Sequence, residues 1–293
     1  MQILSILIDV VVPVFLVAAV GFAWAKRAKP FDPTFVSLMV TVVGTPCLVI
    51  DSISKSGLQP SALATMGLAA ALCHFAAMGI GYVVLRMMGQ PINVYLPAMT
   101  FANTGNMGLP LTLFAFGEAG LALSIGYFTL ASLLNFGLGQ AIASKNFSIV
   151  EILKMPLVWA ILLAMLLVTT GTQLPRMIDR AMGILGGLTV PLMLVSLGYS
   201  LARLKIASLK RGVILSLVRL IGGFAIGWLI GWSLGLEGVA LGVVVTQSAM
   251  PSAVYNYMFA ARFGNSEEEV AGMVILSTFI SLFLLPLFLA TVM

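Results

Sequence analysis

The chain has 293 residues, of which 60% are hydrophobic and 9% are charged, and its formal net charge is +5. A soluble globular protein carries about 25% charged residues, so this composition excludes a soluble domain with an ordinary water-facing surface. The basic residues lie in short connections between apolar runs, which is typical of membrane topology signals and argues against a nucleic-acid-binding surface. Cys47 and Cys73 both lie in apolar runs, so no disulfide is predicted.

Apolar runs bounded by charges, glycines and prolines predict ten transmembrane helices, each needing roughly 20 residues to cross the hydrocarbon core. The predicted spans lie near residues 3–25, 33–54, 61–85, 92–115, 119–143, 154–171, 180–202, 210–233, 238–261 and 269–292. The first run is too long for the core of a cleaved signal peptide and has its basic residues behind it, so it is predicted to be a true span. The sequence therefore predicts an all-α polytopic membrane protein.

Lysine and arginine are unevenly divided between the connections. The connections after the odd-numbered spans hold Lys26, Arg27, Lys29, Arg86, Lys145, Lys154, Arg203, Lys205, Lys210, Arg211 and Arg262. The connections after the even-numbered spans hold only Lys55, Arg176 and Arg180. Because cytoplasmic loops carry the excess of Lys and Arg, the odd-numbered connections are predicted to be cytoplasmic and both termini to lie on the outer side.

Prolines recur along the chain at nearly one offset. The pairs are Pro13 with Pro156 (143 residues apart), Pro46 with Pro191 (145 apart) and Pro110 with Pro251 (141 apart). This recurrence predicts two halves of five spans each, residues 1–146 and 147–293. Since each half has an odd number of spans, the two halves must be inverted relative to each other, which is a common plan in transporters.

Two spans carry helix-breaking segments at corresponding positions: TFANTGNMGLPLT (residues 100–112) in span four and TQSAMPSAVYNY (residues 246–257) in span nine. Proline removes a backbone donor, and glycine lowers helix propensity by about 1 kcal/mol. Backbone groups freed in hydrocarbon must be satisfied by protein or by a water-filled cavity. Two matched breaks predict a midplane substrate site, and half-helix N-termini suit an anion. The alternative is a simple proline kink with hydrogen bonds between helices.

A few other polar residues fall inside spans. His74, the only histidine, is interpreted either as a proton relay or, preferably, as a neutral imidazole bonded to a neighbouring helix, since its span has no acidic partner. Arg219 either snorkels toward the cytoplasm or faces the cavity and attracts an anion. Tyr127, Thr129 and Asn135 are interpreted as helix packing. No metal site, cofactor site or catalytic motif is predicted, so the chain is predicted not to be an enzyme.

Three stretches resemble the auxin efflux carrier family, whose bacterial members include malonate and other organic-acid permeases. They are NTGNMGLP (Asn103–Pro110), GTPC (Gly44–Cys47) and QSAMP (Gln247–Pro251), and the resemblance covers essentially the whole chain. It implies ten helices in two inverted five-helix repeats, with broken helices four and nine crossing at Pro110 and Pro251. It also implies a scaffold domain from spans 1, 2, 6 and 7, and a transport domain from spans 3–5 and 8–10 that moves as an elevator.

The resemblance further implies an integral protein of the bacterial inner (plasma) membrane that forms a homodimer through the scaffold. In plant relatives, the asparagine seven residues before the span-four proline contacts the carboxylate substrate, and Asn103 holds that position. The plant proteins carry a long cytoplasmic loop between the halves, for which this chain has only residues 144–153.

Together these observations predict a transporter of small organic anions, such as malonate or auxin-like acids, that works by alternating access. The predicted substrate-binding residues are Thr45, Pro46, Cys47, Asn103, Thr104, Gly105, Asn106, Gln247, Ser248, Ser252, Tyr255 and Asn256. His74 and Arg219 are the candidates for a proton or charge role. The alternatives are a sodium-coupled bile-acid-type carrier of the same fold, an intramembrane enzyme, or a membrane ligand sensor.

Overall fold

A computed structural model describes residues 7–144, 150, 153–205 and 207–293. These residues are mostly helical and form no β-strand, apart from a single bridge between Ala102 and Ser252. The start of the predicted first span, Lys145 and the predicted boundary between residues 146 and 147 lie outside the described residues.

The α-helices, numbered in chain order, are α1 (Val12–Lys26), α2 (Pro33–Leu38), α3 (Thr45–Ser56), α4 (Pro60–Met87), α5 (Ile92–Thr100), α6 (Leu109–Leu134), α7 (Gln140–Ser144), α8 (Pro156–Thr170), α9 (Arg176–Gly187), α10 (Thr189–Arg203), α11 (Leu209–Ser233), α12 (Gly238–Ser248), α13 (Val254–Phe263) and α14 (Glu267–Leu289). Four π-helical turns adjoin them, at Leu7–Val11, Met39–Gly44, Thr104–Gly108 and Asn135–Gly139. The turn Met39–Gly44 connects α2 to α3, Thr104–Gly108 leads into α6, and Asn135–Gly139 connects α6 to α7.

Several helix ends follow local signals in the sequence. The Oδ1 atom of Asp32 accepts hydrogen bonds from the backbone N–H groups of Thr34 (2.9 Å) and Phe35 (3.1 Å), which caps α2. Gly57 and Gly171 end α3 and α8 with φ angles of 66° and 65°, in the left-handed conformation that glycine adopts without strain. These signals place short connections between long apolar helices.

Seven helical stretches among the described residues are long and apolar enough to cross a membrane. They are Ile8–Lys26, Pro33–Ser56, Pro60–Met87, Thr104–Ser144, Arg176–Arg203, Leu209–Ser233 and Glu267–Leu289. Pro156–Thr170 and Gly238–Ser248 are shorter apolar helices. The prediction of an all-α polytopic membrane protein is confirmed, while the count of ten spans in two inverted repeats stays a prediction.

The longest of these stretches folds back on itself. Within α6, Gly117 has φ 65° and ψ −160°, which is not a helical conformation. The Ser124 hydroxyl donates to the Thr112 hydroxyl at 2.7 Å, although 12 residues of straight helix would span about 18 Å. The chain therefore reverses at Gly117, and α6 consists of two helices packed side by side. The reversal lies between the predicted end of span four (residue 115) and the predicted start of span five (residue 119).

Helices α1 and α10 approach each other closely through two glycines. A Cβ atom on Gly21 would overlap the carbonyl group of Val195, and one on Gly198 would overlap the carbonyl group of Ala18. Small residues of this kind let membrane helices pack backbone against backbone. Both helices belong to the spans that the resemblance assigns to the scaffold.

A polar network joins α5, α11 and α14. The Tyr95 hydroxyl donates to Oε2 of Glu269 at 2.9 Å, and Nη1 of Arg211 donates to the Tyr95 oxygen at 2.8 Å and to Oε1 of Glu269 at 3.1 Å. All three helices belong to the spans that the resemblance assigns to the transport domain. The network therefore holds α5 in place next to the break that follows it.

Candidate functional site

Both predicted helix breaks are present, and they pair with each other. Helix α5 ends at Thr100 and the next helical turn begins at Thr104, while α12 ends at Ser248 and α13 begins at Val254. Across the Ala102–Ser252 bridge, the Asn103 N–H donates to the Pro251 carbonyl at 2.7 Å. The Ala253 N–H donates to the Phe101 carbonyl at 3.1 Å. Backbone groups freed by one break are thus satisfied by the other, as burial at membrane depth requires.

Side chains behind the bridge strengthen this crossing. Nδ2 of Asn256 donates to the Phe101 carbonyl at 2.9 Å and to the Ser252 hydroxyl at 3.1 Å. The Ser252 N–H donates to the hydroxyl of Ser277 in α14 at 3.1 Å. Asn256 and Ser252 are both buried, and neither lines the neighbouring cavity. They were predicted to bind substrate, but the structure places them where they hold the two breaks together.

On the other side of the crossing lies a cavity of about 370 Å³. Six of the predicted site residues line it: Thr45, Asn103, Thr104, Gly105, Asn106 and Tyr255. Polar residues that the sequence reasoning missed also line it: Ser37, Thr41, Ser132, Asn135 and Lys154. Asn135 was interpreted as helix packing, and the structure places it in the cavity wall while its Oδ1 atom lies against Gly139 one turn further on. Ser37, Thr41, Ser132 and Asn135 lie in α2, α6 and the π-helical turns that follow these helices, where mostly apolar neighbours gave no sequence signal for a site.

Two helix starts face this cavity. Asn103 precedes the turn Thr104–Gly108 and does not cap it with its side chain, and Gly105 and Asn106 in that turn line the cavity. Ala253 precedes α13 and lines the cavity with Tyr255. The first N–H groups of a helix lack intrahelical partners, and each helix start carries about half a positive elementary charge. The cavity wall is therefore electropositive at the crossing.

Two residues of the cavity wall carry buried side-chain atoms without a partner. Nδ2 of Asn103 and Oδ1 of Asn135 are buried and have no hydrogen-bond partner in the described part of the chain. Both residues line the cavity. An unmade buried hydrogen bond costs about 1–3 kcal/mol. A side-chain rotation that brings either atom to a polar ligand would recover that cost.

The remaining predicted residues lie away from the cavity. Gln247 is fully buried, and its amide packs where a Cβ atom on Gly108 would be. Pro46 and Pro110 lie in the first turns of α3 and α6, and neither lines the cavity. Cys47 follows Pro46 in α3 and is likewise absent from the cavity wall.

Pro251 lies in the break itself, where its carbonyl accepts from Asn103. Its predicted partner at the crossing, Pro110, instead lies seven residues beyond Asn103. The contact between the broken segments runs through Phe101 to Asn103 on the first segment.

His74, Arg219 and Ser248 line a second, much smaller pocket. Nδ1 of His74 lies 2.7 Å from the carbonyl oxygen of Ala70, so the imidazole is bonded within its own helix and not to a neighbouring helix as predicted. Since a carbonyl can only accept, this nitrogen carries the proton. Arg219 is 4% exposed, so it neither snorkels to the cytoplasmic surface nor faces the large cavity.

The approaches to the cavity carry basic residues. Ser37 and Tyr255, whose hydroxyl groups lie 3.4 Å apart, separate the cavity from a neighbouring hollow of about 510 Å³ that Arg203 lines. On the other side, Tyr255 borders a hollow of about 440 Å³ that Arg262 lines. Lys154 lines the cavity itself. No Asp or Glu is found among the described residues that line these three spaces.

Comparisons with known proteins identify a membrane transport family. A family model described as "Membrane transport protein" matches residues 6–139 and 139–289. An uncharacterized transporter of Methanocaldococcus jannaschii is 25% identical over 302 residues, covering 95% of this chain and 96% of its own. An uncharacterized transporter of Methanothermobacter thermautotrophicus is 28% identical over 269 residues, covering 87% of this chain and 88% of its own.

Proposed function

The chain belongs to the membrane transport protein family of auxin efflux carrier-like proteins, and we propose that it carries small organic anions across the membrane by alternating access. The observation that carries this proposal is the cavity at the crossing, which is lined by two helix starts, Asn103 and Lys154 and by no Asp or Glu among the described residues. In a wall of this kind a carboxylate gains hydrogen bonds and favourable electrostatic energy, whereas a cation faces the positive helix starts and has no carboxylate among the described lining residues.

The shape and lining of the cavity support a small cargo with an apolar part. A volume of about 370 Å³ falls at the small end of ligand pockets in general. The wall also includes the apolar side chains of Phe128, Phe136, Leu157 and Met193. We infer that the carboxylate lies against Asn103 and the helix starts, and that the remainder of a mono- or dicarboxylate packs against these apolar side chains.

The position of the cavity supports an elevator mechanism. One part of its wall comes from α2, α8, α10 and the turn before α3, which the resemblance assigns to the scaffold. The other part comes from the crossing, α6 and α13, which it assigns to the transport domain. A site shared between two such units is exposed or closed when one slides against the other. We propose this motion, within a ten-span fold of two inverted repeats.

The same proposal includes an orientation in the membrane. Lys154 follows the predicted fifth span, and Arg203 and Arg262 follow the seventh and ninth, so all three lie in connections predicted to be cytoplasmic. The described conformation would then open inward, in a plasma membrane with both termini outside. A homodimer through the scaffold is part of the proposal, and light scattering of the detergent-solubilised protein tests it.

Thermal unfolding of the purified protein tests the cargo class, because a ligand that binds only the folded state raises stability by RT ln(1 + [L]/Kd). The panel pairs each acid with its neutral amide: malonate with malonamide, and indole-3-acetate with indole-3-acetamide. We expect at least one acid, and not its amide, to raise the unfolding temperature and to exchange across proteoliposome membranes that contain the protein. Equal effects of acid and amide, or no effect of any acid at millimolar concentration, would refute the anion proposal.

A further inference from the structure

The small pocket behind the crossing lies where the first halves of both broken spans end. Thr100 is the last residue of α5 and Ser248 is the last residue of α12, and both line it together with His74, Tyr127 and Arg219. Its volume of about 10 Å³ has room for about one water molecule. Two helix C-termini therefore meet around an almost filled space.

These helix ends bring negative charge together. The last carbonyl groups of a helix lack intrahelical donors, and each C-terminus carries about half a negative elementary charge. The Thr100 hydroxyl is buried here without a hydrogen-bond partner among the described residues. In a medium that water does not screen, two such ends held side by side repel each other unless a positive charge lies between them.

Arg219 supplies that charge. It lies near the middle of α11, and its Nε atom is buried without a hydrogen-bond partner in the described chain. One turn further along α11, Gly223 has no side chain, which lets α11 approach the end of α12 closely. A Cβ atom there would overlap the carbonyl oxygen of Ser248 and would lie 2.6 Å from Nη1 of Arg219. The guanidinium group of Arg219 and the carbonyl end of α12 therefore both lie next to Gly223.

Among the described residues, no Asp or Glu forms an ion pair with Arg219. The ion pairs found there join Lys55 to Asp51 and Asp179, and Arg211 to Glu269. A buried charge without compensation is strongly destabilising, so its tolerance at this position requires another source of negative potential. The two helix C-termini are that source.

We propose that Arg219 is a positioning residue that acts as a built-in counter-cation: it holds the ends of α5 and α12 together and fills the role that a bound metal cation would otherwise have. The crossing then assembles without sodium. A second consequence rests on the proposed function: anion binding in the large cavity should also be independent of sodium.

The test compares Arg219→Met, Arg219→Lys and the wild type, with Arg176→Met as the control for the same change at an exposed arginine. Thermal unfolding is measured in sodium chloride and in choline chloride at equal ionic strength, with no organic anion present. We expect Arg219→Met to lower the unfolding temperature by at least about 5 °C, Arg219→Lys to lower it by less than half as much, and Arg176→Met to change it little. The wild type should unfold at the same temperature in both salts.

The opposite results would overturn the inference. If the charge of Arg219 did not stabilise the crossing, replacement by methionine, which has a similar length, would leave the stability unchanged or raise it, as apolar replacements of buried charges often do. If lysine were as damaging as methionine, the positive charge would not be the relevant property. A saturable stabilisation of the wild type by sodium would show that the crossing still takes up a cation.

Should the methionine variant not fold, Arg219→Lys and the wild-type salt comparison decide the question. Arg219→Ala adds a rescue experiment: millimolar guanidinium ion, far below denaturing concentrations, should raise its unfolding temperature and not that of the wild type. Failure of this rescue in a folded alanine variant counts against the inference. None of these readouts involves an organic anion, so their outcome is separate from that of the proposed cargo.

Discussion

Asn103 and Asn256 are two buried amides of the same crossing, and the structure predicts opposite consequences for their removal. Nδ2 of Asn103 has no partner, so Asn103→Ala removes an unsatisfied donor and should leave the stability of the ligand-free protein unchanged or slightly raised. Nδ2 of Asn256 makes two hydrogen bonds, so Asn256→Ala should cost about 1–3 kcal/mol, or about 2 to 5 °C in unfolding temperature.

Ligand binding should respond in the reverse order. A hydrogen bond from Asn103 to a carboxylate is worth about 1.5–3 kcal/mol, so Asn103→Ala should raise the Kd of a bound acid about 10- to 150-fold. Asn256 does not line the cavity, and its alanine variant should change the Kd less. The assay is thermal unfolding over an acid titration, which reports stability without ligand and affinity together. Loss of stability in Asn103→Ala with unchanged affinity would refute the assignment of this amide to the site.

Two further changes test the packing and the approach to the cavity. Gly198→Ala should lower the unfolding temperature measured in detergent, because overpacking against the Ala18 carbonyl costs about 1–3 kcal/mol. The control is Gly222→Ala, whose added methyl group meets open space and which should gain up to about 1 kcal/mol of stability from helix propensity. Lys154→Gln should raise the Kd for the acid about 2- to 5-fold at low salt and less at high salt, whereas Lys210→Gln, which lies outside the described cavities, should not. An equal loss of stability in both glycine variants, or a salt-independent effect at Lys154, would contradict these expectations.

The existence of the two breaks could be predicted because glycine, proline and asparagine are poor helix formers in an apolar run. Their point of contact could not. Proline marks a break from sequence, yet it is also favoured in the first turn of a helix, and Pro110 holds that position in α6. The backbone leaves the helical conformation earlier, at Phe101 to Asn103, where only pairing with the second break determines the geometry.

The division of polar residues between the cavity and the packed side of the crossing was also beyond the sequence. Gln247 and Asn256 have the same chemistry as Asn103 and lie in an equally broken span, so composition treats all three alike. Only the rotation of each segment about its axis decides which amide faces open space. The place of Asn135 in the cavity wall was hidden for the same reason, since a lone amide in an apolar helix is more often a packing residue.

The two sides of the crossing have opposite polarity, and this difference explains the placement of charge in the chain. The C-terminal ends at Thr100 and Ser248 meet in a pocket with room for about one water molecule, and Arg219 already supplies positive charge there. The helix starts at Thr104 and Val254 adjoin an open cavity whose described lining residues include no carboxylate. The chain therefore compensates the negative side from within and leaves the positive side open, and this asymmetry supports our proposal that the crossing binds an anion from solution.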